Sequence, residues 1–265
     1  MFHPDPSECD ELVADLWQHQ TAGILEEGEQ LRAFFEDCTD IAPLLARYRA
    51  IQIRQESPSD TAEFPRQGWD PILVGERFFI APSWVDELTP NGRFRLTIDA
   101  TSAFGTGRHE STQLMLEAME RSIGPGQTVL DVGCGSGILS VAASMLGASH
   151  VFGCDIHVDA VRGAVFHLSA SAFAGSVDAV RDHTADLVLM NISSKVIDAL
   201  ACDLRRITKP EGMILLAGFV RDNPPKTVTP VSERAQGEWL CWTCGPAQIT
   251  ACEHSVIQRH SDAWW

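Results

Sequence analysis

Cationic residues are scarce in this sequence. Its 265 residues include 36 Asp and Glu but only 20 Lys and Arg, which gives a formal net charge of −16. Lysine occurs only at Lys195, Lys209 and Lys226, and basic residues form no run. Because nucleic-acid binding uses clustered cations to neutralise phosphates, a direct nucleic-acid partner is disfavoured. The acidity favours a basic protein partner, although on charge alone it accounts equally well for solubility.

Long apolar runs are also missing. The longest apolar runs are about as long as Met213–Val220, whereas a helix needs about 20 apolar residues to span a bilayer. The N-terminal stretch MFHPDPSECDEL is acidic and lacks the basic-then-apolar order of a signal peptide. Eight cysteines are scattered along the chain, which in the absence of a secretory signal indicates reduced thiols. We therefore expect a soluble cytoplasmic protein that does not associate with membranes.

One group of metal-ligating residue types lies near the C-terminus. Cys241 and Cys244 are separated by two residues, and Cys252 and His254 follow. A tetrahedral zinc site needs four ligands, usually in two close pairs, but Cys252 and His254 are unusually close in sequence for such a pair. Cys241 and Cys244 would also point to opposite faces of a strand. We expect no metal, and a zinc or redox site is the less favoured alternative.

The first 56 residues predict a small α+β domain. Helical spacing of apolar residues follows a capping box at Ser7 and Asp10, two short strands surround Gly28, and a second helix precedes a strand at Ile51–Ile53. A unit of this size, ordered α-β-β-α-β, could hardly be stable alone. Residues 57–98, which begin with the polar stretch SPSDTAEFPRQG, are predicted as linker and junction, with a strand-like stretch from Ile72 to Trp84.

Residues 99–265 predict a larger domain in which apolar strands alternate with Gly-rich turns and helices. Such an alternation is typical of a doubly wound, mostly parallel α/β sheet. The candidate buried strands are Val129–Val132, Val151–Cys154, Leu187–Met190 and Met213–Ala217.

A glycine-rich loop follows the first of these strands. Gly133, Gly135 and Gly137 precede a helical segment, so backbone N–H groups can approach a ligand closely. A dinucleotide-binding loop reads G-x-G-x-x-G, but the last of those positions is Ile138 here. Asp131 would repel a pyrophosphate and suits an ammonium or a sulfonium group. The glycine spacing therefore disfavours a nicotinamide dehydrogenase.

Two polar residues end later strands. Asp155 can accept hydrogen bonds from both ribose hydroxyls of a nucleoside, or it can simply cap the helix that starts near Val158. Asn191 ends the third strand of this set, and ligands of open α/β sheets bind outside the carboxyl ends of strands. Asparagine is also a common turn residue, so its position alone does not assign a role.

A loop rich in polar residues precedes the glycine loop, at residues 103–113. The polar composition of this loop favours a role as a clamp that covers the cofactor. The alternative is an ordinary loop in which Ser111 or Thr112 caps the helix. His109 is a candidate base, but a single histidine is more often structural.

Together these segments resemble the PrmA-type ribosomal-protein methyltransferases, whose substrate is protein eleven of the large subunit. The resemblance covers about residues 69–220. A GxGxG loop marks S-adenosylmethionine enzymes in general, whereas the FGTG-x-H-x-x-T loop is much more specific. The matching segments are APSW (81–84), FGTGRHEST (104–112), VLDVGCGSGILSVAA (129–143), GCDI (153–156) and MNIS (190–193).

The resemblance implies a Rossmann-like sheet of the seven-stranded methyltransferase type, with S-adenosylmethionine as cofactor and amino groups as acceptors. The cofactor-binding positions that match are Thr112, Gly133, Gly135, Asp155 and Asn191. Asn191 is also the expected catalytic residue, because a neutral amide oxygen can accept an N–H without holding the proton. The small N-terminal domain would dock a basic ribosomal protein, and we expect a monomer.

Departures from the family pattern leave the acceptor open. The family's N-terminal domain is βαββαβ, but no first strand is predicted here, and the stretch from Asp155 to Asn191 and residues 223–231 are short. Another lysine-bearing protein or a small amine is therefore an alternative acceptor. A third alternative is a cofactor-binding regulator without catalysis, against which the intact Gly133, Gly135, Asp155 and Asn191 argue.

Overall fold

The structure of the protein, a computed structural model, divides into two compact units. It describes residues 12, 15–16, 23–27, 30–34, 41–48, 70–98, 107–167 and 171–250. The smaller unit comprises Met1–Gly68, Ala100–Phe104 and Gln258–Trp265, and the larger comprises Trp69–Asp99 and Gly105–Ile257.

The smaller unit contains a hairpin and helices. Strands β1 (Gly23–Glu27) and β2 (Gln30–Phe34) pair antiparallel, and helix α1 spans Ala42–Arg47. These elements agree with the two strands and the second helix predicted from the sequence, whereas the predicted strand at Ile51–Ile53 lies outside the described residues. The unit has its own small core of Leu12, Leu16, Leu31, Leu44 and Tyr48.

The larger unit begins with a three-stranded sheet. Strand β4 (Phe78–Ala81) lies between β3 (Ile72–Val74), to which it is antiparallel, and β5 (Phe94–Thr97), to which it is parallel. All four residues of β4 are buried. Residues 70–98 of the predicted linker and junction are thus part of a folded sheet in the larger unit, and residues 57–69 lie outside the described residues.

A seven-stranded sheet forms the centre of the larger unit, in the order β11-β12-β10-β9-β6-β7-β8. Strands β6 to β10 are parallel, and β12 is antiparallel to both β10 and β11. The strands are β6 (Thr128–Val132), β7 (His150–Asp155), β8 (Ser171–Ala174), β9 (Ala185–Asn191), β10 (Thr208–Val220), β11 (Ser232–Gln236) and β12 (Trp239–Cys244). The predicted doubly wound sheet is therefore confirmed, including all four predicted strands.

Four helices of the described ranges accompany this sheet: α2 (Glu110–Ser122), α3 (Ile138–Met145), α4 (Val158–His167) and α5 (Ser194–Ile207). Alternate residues of the strands enter two different cores. Leu187 and Leu189 of β9 pack in the same core as α2 and α3, whereas Val188 and Met190 pack in the same core as α5. Burial on both faces explains why the strands are continuous apolar runs.

Two connections contain little regular secondary structure. Between β8 and β9 the chain forms only a 3-10 turn at Val177–Ala179, and residues 221–231 between β10 and β11 contain no helix. Arg206 of α5 stabilises the first connection by donating hydrogen bonds to the carbonyl oxygens of Val177 (3.0 Å) and Val180 (2.6 Å).

The cysteines of β12 do not form a pair. Cys241 is buried in the core that contains α2, and Cys244 in the core that contains α5, so the two thiols lie on opposite faces of the sheet. Burial raises the pKa of both thiols to about 12. Cys252 and His254 lie outside the described residues. Cys202 is disulfide-bonded, so the expectation of reduced thiols throughout is wrong at that position.

Within the described part of the chain, no helix is both long and apolar enough to cross a membrane.

Candidate active site

The sequence-predicted residues Gly133, Asp155 and Asn191 lie side by side at the carboxyl edge of the sheet. Val132, the last residue of β6, pairs with Cys154 of β7 and with Met190 of β9. The residues that directly follow these three, Gly133, Asp155 and Asn191, therefore lie at the same level of the sheet. This is also where the strand order reverses, because β9 and β7 lie on opposite sides of β6 and leave a crevice for a ligand.

The glycine loop has a conformation that side chains disfavour. Gly133, Gly135 and Gly137 have φ values of 70°, 50° and 80°. The N–H groups of Gly133 and Cys134 both donate to the Cys154 carbonyl, at 2.8 and 3.0 Å. A Cβ atom on Gly133 would overlap Cδ1 of Ile192. The loop therefore needs glycine both for its left-handed backbone and for its close approach to the neighbouring chain.

Asp155 connects this loop to the start of α4. Its Oδ2 accepts a hydrogen bond from the Gly135 N–H (3.0 Å), and its Oδ1 accepts one from the His157 N–H (2.9 Å). Both donors precede α4, which begins at Val158, so neither bond caps an N–H within the helix, as the alternative role predicted for Asp155 would require. A carboxylate offers about four lone-pair sites, so each oxygen retains capacity for a ligand hydroxyl.

Asn191 is held by Thr112. The Asn191 Nδ2 donates to the Thr112 hydroxyl at 3.2 Å, although the two residues are 79 positions apart. Thr112 is only 1% exposed. The Asn191 Oδ1 is buried and is one of two such side-chain atoms without a hydrogen-bond partner among the described residues. A buried acceptor without a donor is costly, which makes it a candidate ligand contact.

His109 positions the start of α2. Its Nδ1 accepts a hydrogen bond from the Ser111 N–H (3.3 Å) and lies 2.8 Å from the Ser111 Oγ, and its ring contacts Trp239 edge-on at 4.4 Å. The alternative in which Ser111 or Thr112 caps the helix is therefore wrong, because His109 is the cap. These contacts favour the structural role of His109 over that of a base. Phe104–Thr106 of the predicted clamp lie outside the described residues.

Asp131 is a buried carboxylate just before the glycine loop, 1% exposed. Its Oδ2 accepts a hydrogen bond from Ser140 Oγ at 2.6 Å, and its Oδ1 is the second buried side-chain atom without a partner in the described part of the chain. Burial raises its pKa to about 6, and the charge of Asp155 adds to the rise, while hydrogen bonds from Ser140 oppose it. Asp131 is therefore still mostly ionised at neutral pH.

The donor and acceptor chemistry of this edge fits a cationic nucleoside. Asp131, Asp155 and Asn191 provide acceptor oxygens, two of them buried and without a partner. Such a set suits a ligand with ribose hydroxyls, an ammonium group and a positively charged sulfur, and it disfavours a pyrophosphate.

The sequence of this chain matches a known family over most of its length. A family profile described as "Ribosomal protein L11 methyltransferase (PrmA)" matches residues 8–243. The chain belongs to the ribosomal protein L11 methyltransferase family. Membership confirms the resemblance found in the sequence, and with it S-adenosylmethionine as the cofactor.

Individual members of the ribosomal protein L11 methyltransferase family align over most of the chain. It is 30% identical over 257 residues to the enzyme of Caldanaerobacter subterraneus subsp. tengcongensis, covering 88% of this chain and 82% of the relative. It is 36% identical over 207 residues to that of Burkholderia pseudomallei, covering 77% and 69%. The solved structure of the ribosomal protein L11 methylase from Lactobacillus delbrueckii subsp. bulgaricus is similar with a TM-score of 0.61 and 26% identity, covering 65% of this chain and 96% of that chain.

Sequence reasoning missed Ile192 and Gly218, both of which contact the site. Ile192 directly follows Asn191, and nothing in its local sequence indicates a contact with Gly133. Gly218 is an isolated glycine within an apolar strand, a pattern that indicates a bulge or a close approach of two backbones. That signal could have identified it.

The raised pKa of Asp131 predicts a pH-dependent cost. Because its native pKa of about 6 exceeds the unfolded value of 3.8, the unfolded state loses its proton first, and stability falls as pH rises between these values. We expect the free energy of unfolding of Asp131→Asn, relative to wild type, to rise by about 1–1.5 kcal/mol between pH 5 and pH 7.5. Urea unfolding measures this difference.

The control is Asp86→Asn, which removes a carboxylate at an exposed position, so that its stability difference from wild type should vary less with pH than that of Asp131→Asn. An equal pH dependence of the two differences would contradict the burial argument.

Proposed function

We propose that this chain transfers methyl groups from S-adenosylmethionine to amino groups, lysine ε-amines or an α-amine, of a ribosomal protein, namely the L11 protein for which its relatives are named. The observation that carries the proposal is the buried Oδ1 of Asn191, which has no partner among the described residues and lies next to the glycine loop at the carboxyl edge of the sheet. A fixed, neutral acceptor at this point suits an incoming amine.

The cofactor-binding residues we propose are Gly133, Gly135, Asp155, Thr112 and Asn191. S-adenosylmethionine supplies a methyl group bonded to a positively charged sulfur, which an amine can attack. Asp155 accepts hydrogen bonds from the ribose hydroxyls, and the N–H groups of Gly135 and His157 fix its carboxylate for that task. Thr112 contributes through the orientation it gives to Asn191.

The acceptor amine must be neutral to react. A lysine with a pKa of about 10.4 loses its proton at pH 7 at a cost of about 4.6 kcal/mol. A carboxylate in contact with the amine would raise that cost by favouring the ammonium form, whereas the amide oxygen of Asn191 accepts an N–H without adding charge. Asn191 is therefore the proposed catalytic residue, and it orients the nitrogen.

Alignment provides most of the rate enhancement in this proposal. Holding two reactants in the correct geometry can lower a barrier by roughly 7–11 kcal/mol, so no dedicated general base is needed. The hydrogen bond from Asn191 to Thr112 anchors the amide to the first turn of α2.

The small N-terminal unit is the proposed docking domain, corresponding to residues 1–56, and residues 99–265 are the proposed methyltransferase domain. Residues 57–98 form the proposed junction, of which residues 70–98 belong to the larger unit. A net charge of −16 attracts a basic ribosomal protein and disfavours direct binding to nucleic acid. We also propose that the protein is a monomer and that it acts in the cytoplasm.

The function is tested by incubating the purified chain with L11 and S-adenosylmethionine that carries a labelled methyl group. We expect label in L11. Mass spectrometry of the digested protein should show peptides whose mass is raised by one or more methyl groups, located on lysine side chains or on the α-amine. If label enters another lysine-bearing protein or a small amine offered in place of L11, and does not enter L11, then L11 is not the acceptor. Binding of the cofactor without any transfer would favour a regulator and overturn the proposal.

Removing the Asn191 amide should slow the reaction. We expect Asn191→Ala to lower kcat roughly 10- to 100-fold, because the hydrogen bond that orients the amine is lost. Asn191→Asp should also be slow, because a carboxylate stabilises the charged amine. Initial rates at saturating L11 measure both, with Asn91→Ala at an exposed loop position as control. Near-normal turnover of Asn191→Ala would exclude the catalytic role.

Changing Asp155 should weaken cofactor binding. In Asp155→Asn an NH₂ group replaces one acceptor oxygen and opposes either a backbone N–H or a ribose hydroxyl. We expect the Kd for S-adenosylmethionine, measured by calorimetry, to rise at least about tenfold, or about 1.4 kcal/mol. Asp86→Asn should leave it unchanged. An unaltered Kd in a folded Asp155→Asn variant would remove Asp155 from the site.

A further inference from the structure

The corner of the chain that follows β9 lies between two glycines of neighbouring segments. Ile192, directly after Asn191, donates its N–H to the Ala217 carbonyl of β10 at 3.0 Å. Its side chain covers Gly133 of the glycine loop, and its backbone contacts Gly218 of β10. The position of Asn191 is thus defined by the main chain of β10 on one side and the glycine loop on the other.

The contact with Gly218 involves backbone atoms only. A Cβ atom on Gly218 would lie 2.6 Å from the Ile192 N, 2.7 Å from its O and 2.9 Å from its carbonyl C. Main-chain atoms cannot rotate away as the end of a side chain can. Any side chain at position 218 must therefore shift the Ile192 backbone relative to β10.

Strand β10 is adapted to this close approach. Ala217 is the last residue of β10 that pairs with β9, and it pairs with Asn191 itself. Between Leu216 and Phe219 the pairing with β12 shifts register, and Gly218, with a φ of +89°, lies in that irregularity. The bulge brings the Gly218 backbone against Ile192.

A small displacement at this corner would disturb the Asn191 amide. Its hydrogen bond to Thr112 is 3.2 Å long, at the upper end of the usual range for such bonds. A shift of a few tenths of an ångström away from Thr112 would break it. The Asn191 Oδ1 would then lose its fixed direction.

We propose that Gly218 is a positioning residue for methyl transfer: the missing side chain lets β10 hold the Ile192 backbone, and thereby places the Asn191 amide for the acceptor amine. This inference rests on the proposed role of Asn191.

Gly126 provides a matched control for the test. It also has a φ of +89°, but no atom of the described residues lies within 4 Å of the position of its Cβ. Gly126→Ala and Gly218→Ala therefore share the strain of a left-handed alanine, and only the second meets a backbone. Thermal unfolding of both variants identifies a temperature at which each is fully folded.

At that temperature, kcat and KM for L11 and the Kd for S-adenosylmethionine are measured. We expect Gly218→Ala to lower kcat at least roughly tenfold, because small misplacements of reacting groups have large effects on rate. The KM for L11 should stay within about twofold. Gly126→Ala should stay within about twofold of wild type in all three constants. An unchanged kcat for Gly218→Ala would overturn the proposal.

The side-chain NH₂ resonances of Asn191 give a readout without cofactor or activity. Assigned in the ¹⁵N spectrum by their absence from Asn191→Asp, they should shift in Gly218→Ala and not in Gly126→Ala. Unchanged resonances in Gly218→Ala would mean that the contact does not reach the amide.

A double variant separates positioning from general damage. If Gly218 acts through Asn191, adding Gly218→Ala to Asn191→Ala should lower kcat by less than about twofold further, because coupled residues are not additive. An equal loss in both backgrounds would reject the positioning role. If Asn191→Ala itself is nearly normal, the proposed catalytic role fails instead, and the resonance shift still reports whether Gly218 positions the amide.

Discussion

The parallel pairing of β6 with β7 on one side and β9 on the other is the interaction on which the site depends. It brings the ends of three strands to one level, so that a glycine loop, a carboxylate and an amide from distant parts of the sequence become neighbours. The two cores on either side of the sheet fix this level, because alternate strand residues are buried in both. A change of register in either pair would separate Gly133 from Asp155 or Asn191.

The buried polar groups of the site reduce the stability of the fold. A buried Asp131 with one oxygen unpartnered, and a buried amide oxygen at Asn191, lower stability without a ligand. The helix α2 offsets part of this through the bond from Asn191 to Thr112, and α3 does so through Ser140, which donates to Asp131. Such unsatisfied groups are expected where binding, rather than folding, provides the missing partner.

Much of this fold could be predicted from the sequence, because the signals are local. The sequence correctly predicts the four apolar strands and the glycine loop. Because ligands of open α/β sheets bind outside the carboxyl ends of strands, it also correctly predicts that Asp155 and Asn191 lie at that edge. Non-local contacts could not be predicted. The bond from Asn191 to Thr112 joins residues 79 positions apart, and the choice of His109 as helix cap depends on its packing against Trp239. The strand-like stretch at residues 72–84 was predicted, but not its division into separate strands or the third strand at Phe94–Thr97, because strands of three or four residues are too short for a periodic pattern.

The two glycines that contact Ile192 differ in how evolution can replace them. Gly133 meets only the tip of the Ile192 side chain, so a larger residue there could be accommodated by a second substitution that shortens position 192. Gly218 meets main-chain atoms, which every residue at position 192 retains. Suppressor mutations can therefore arise for the first glycine, within the limits of its backbone conformation, but no side-chain exchange at position 192 can rescue the second.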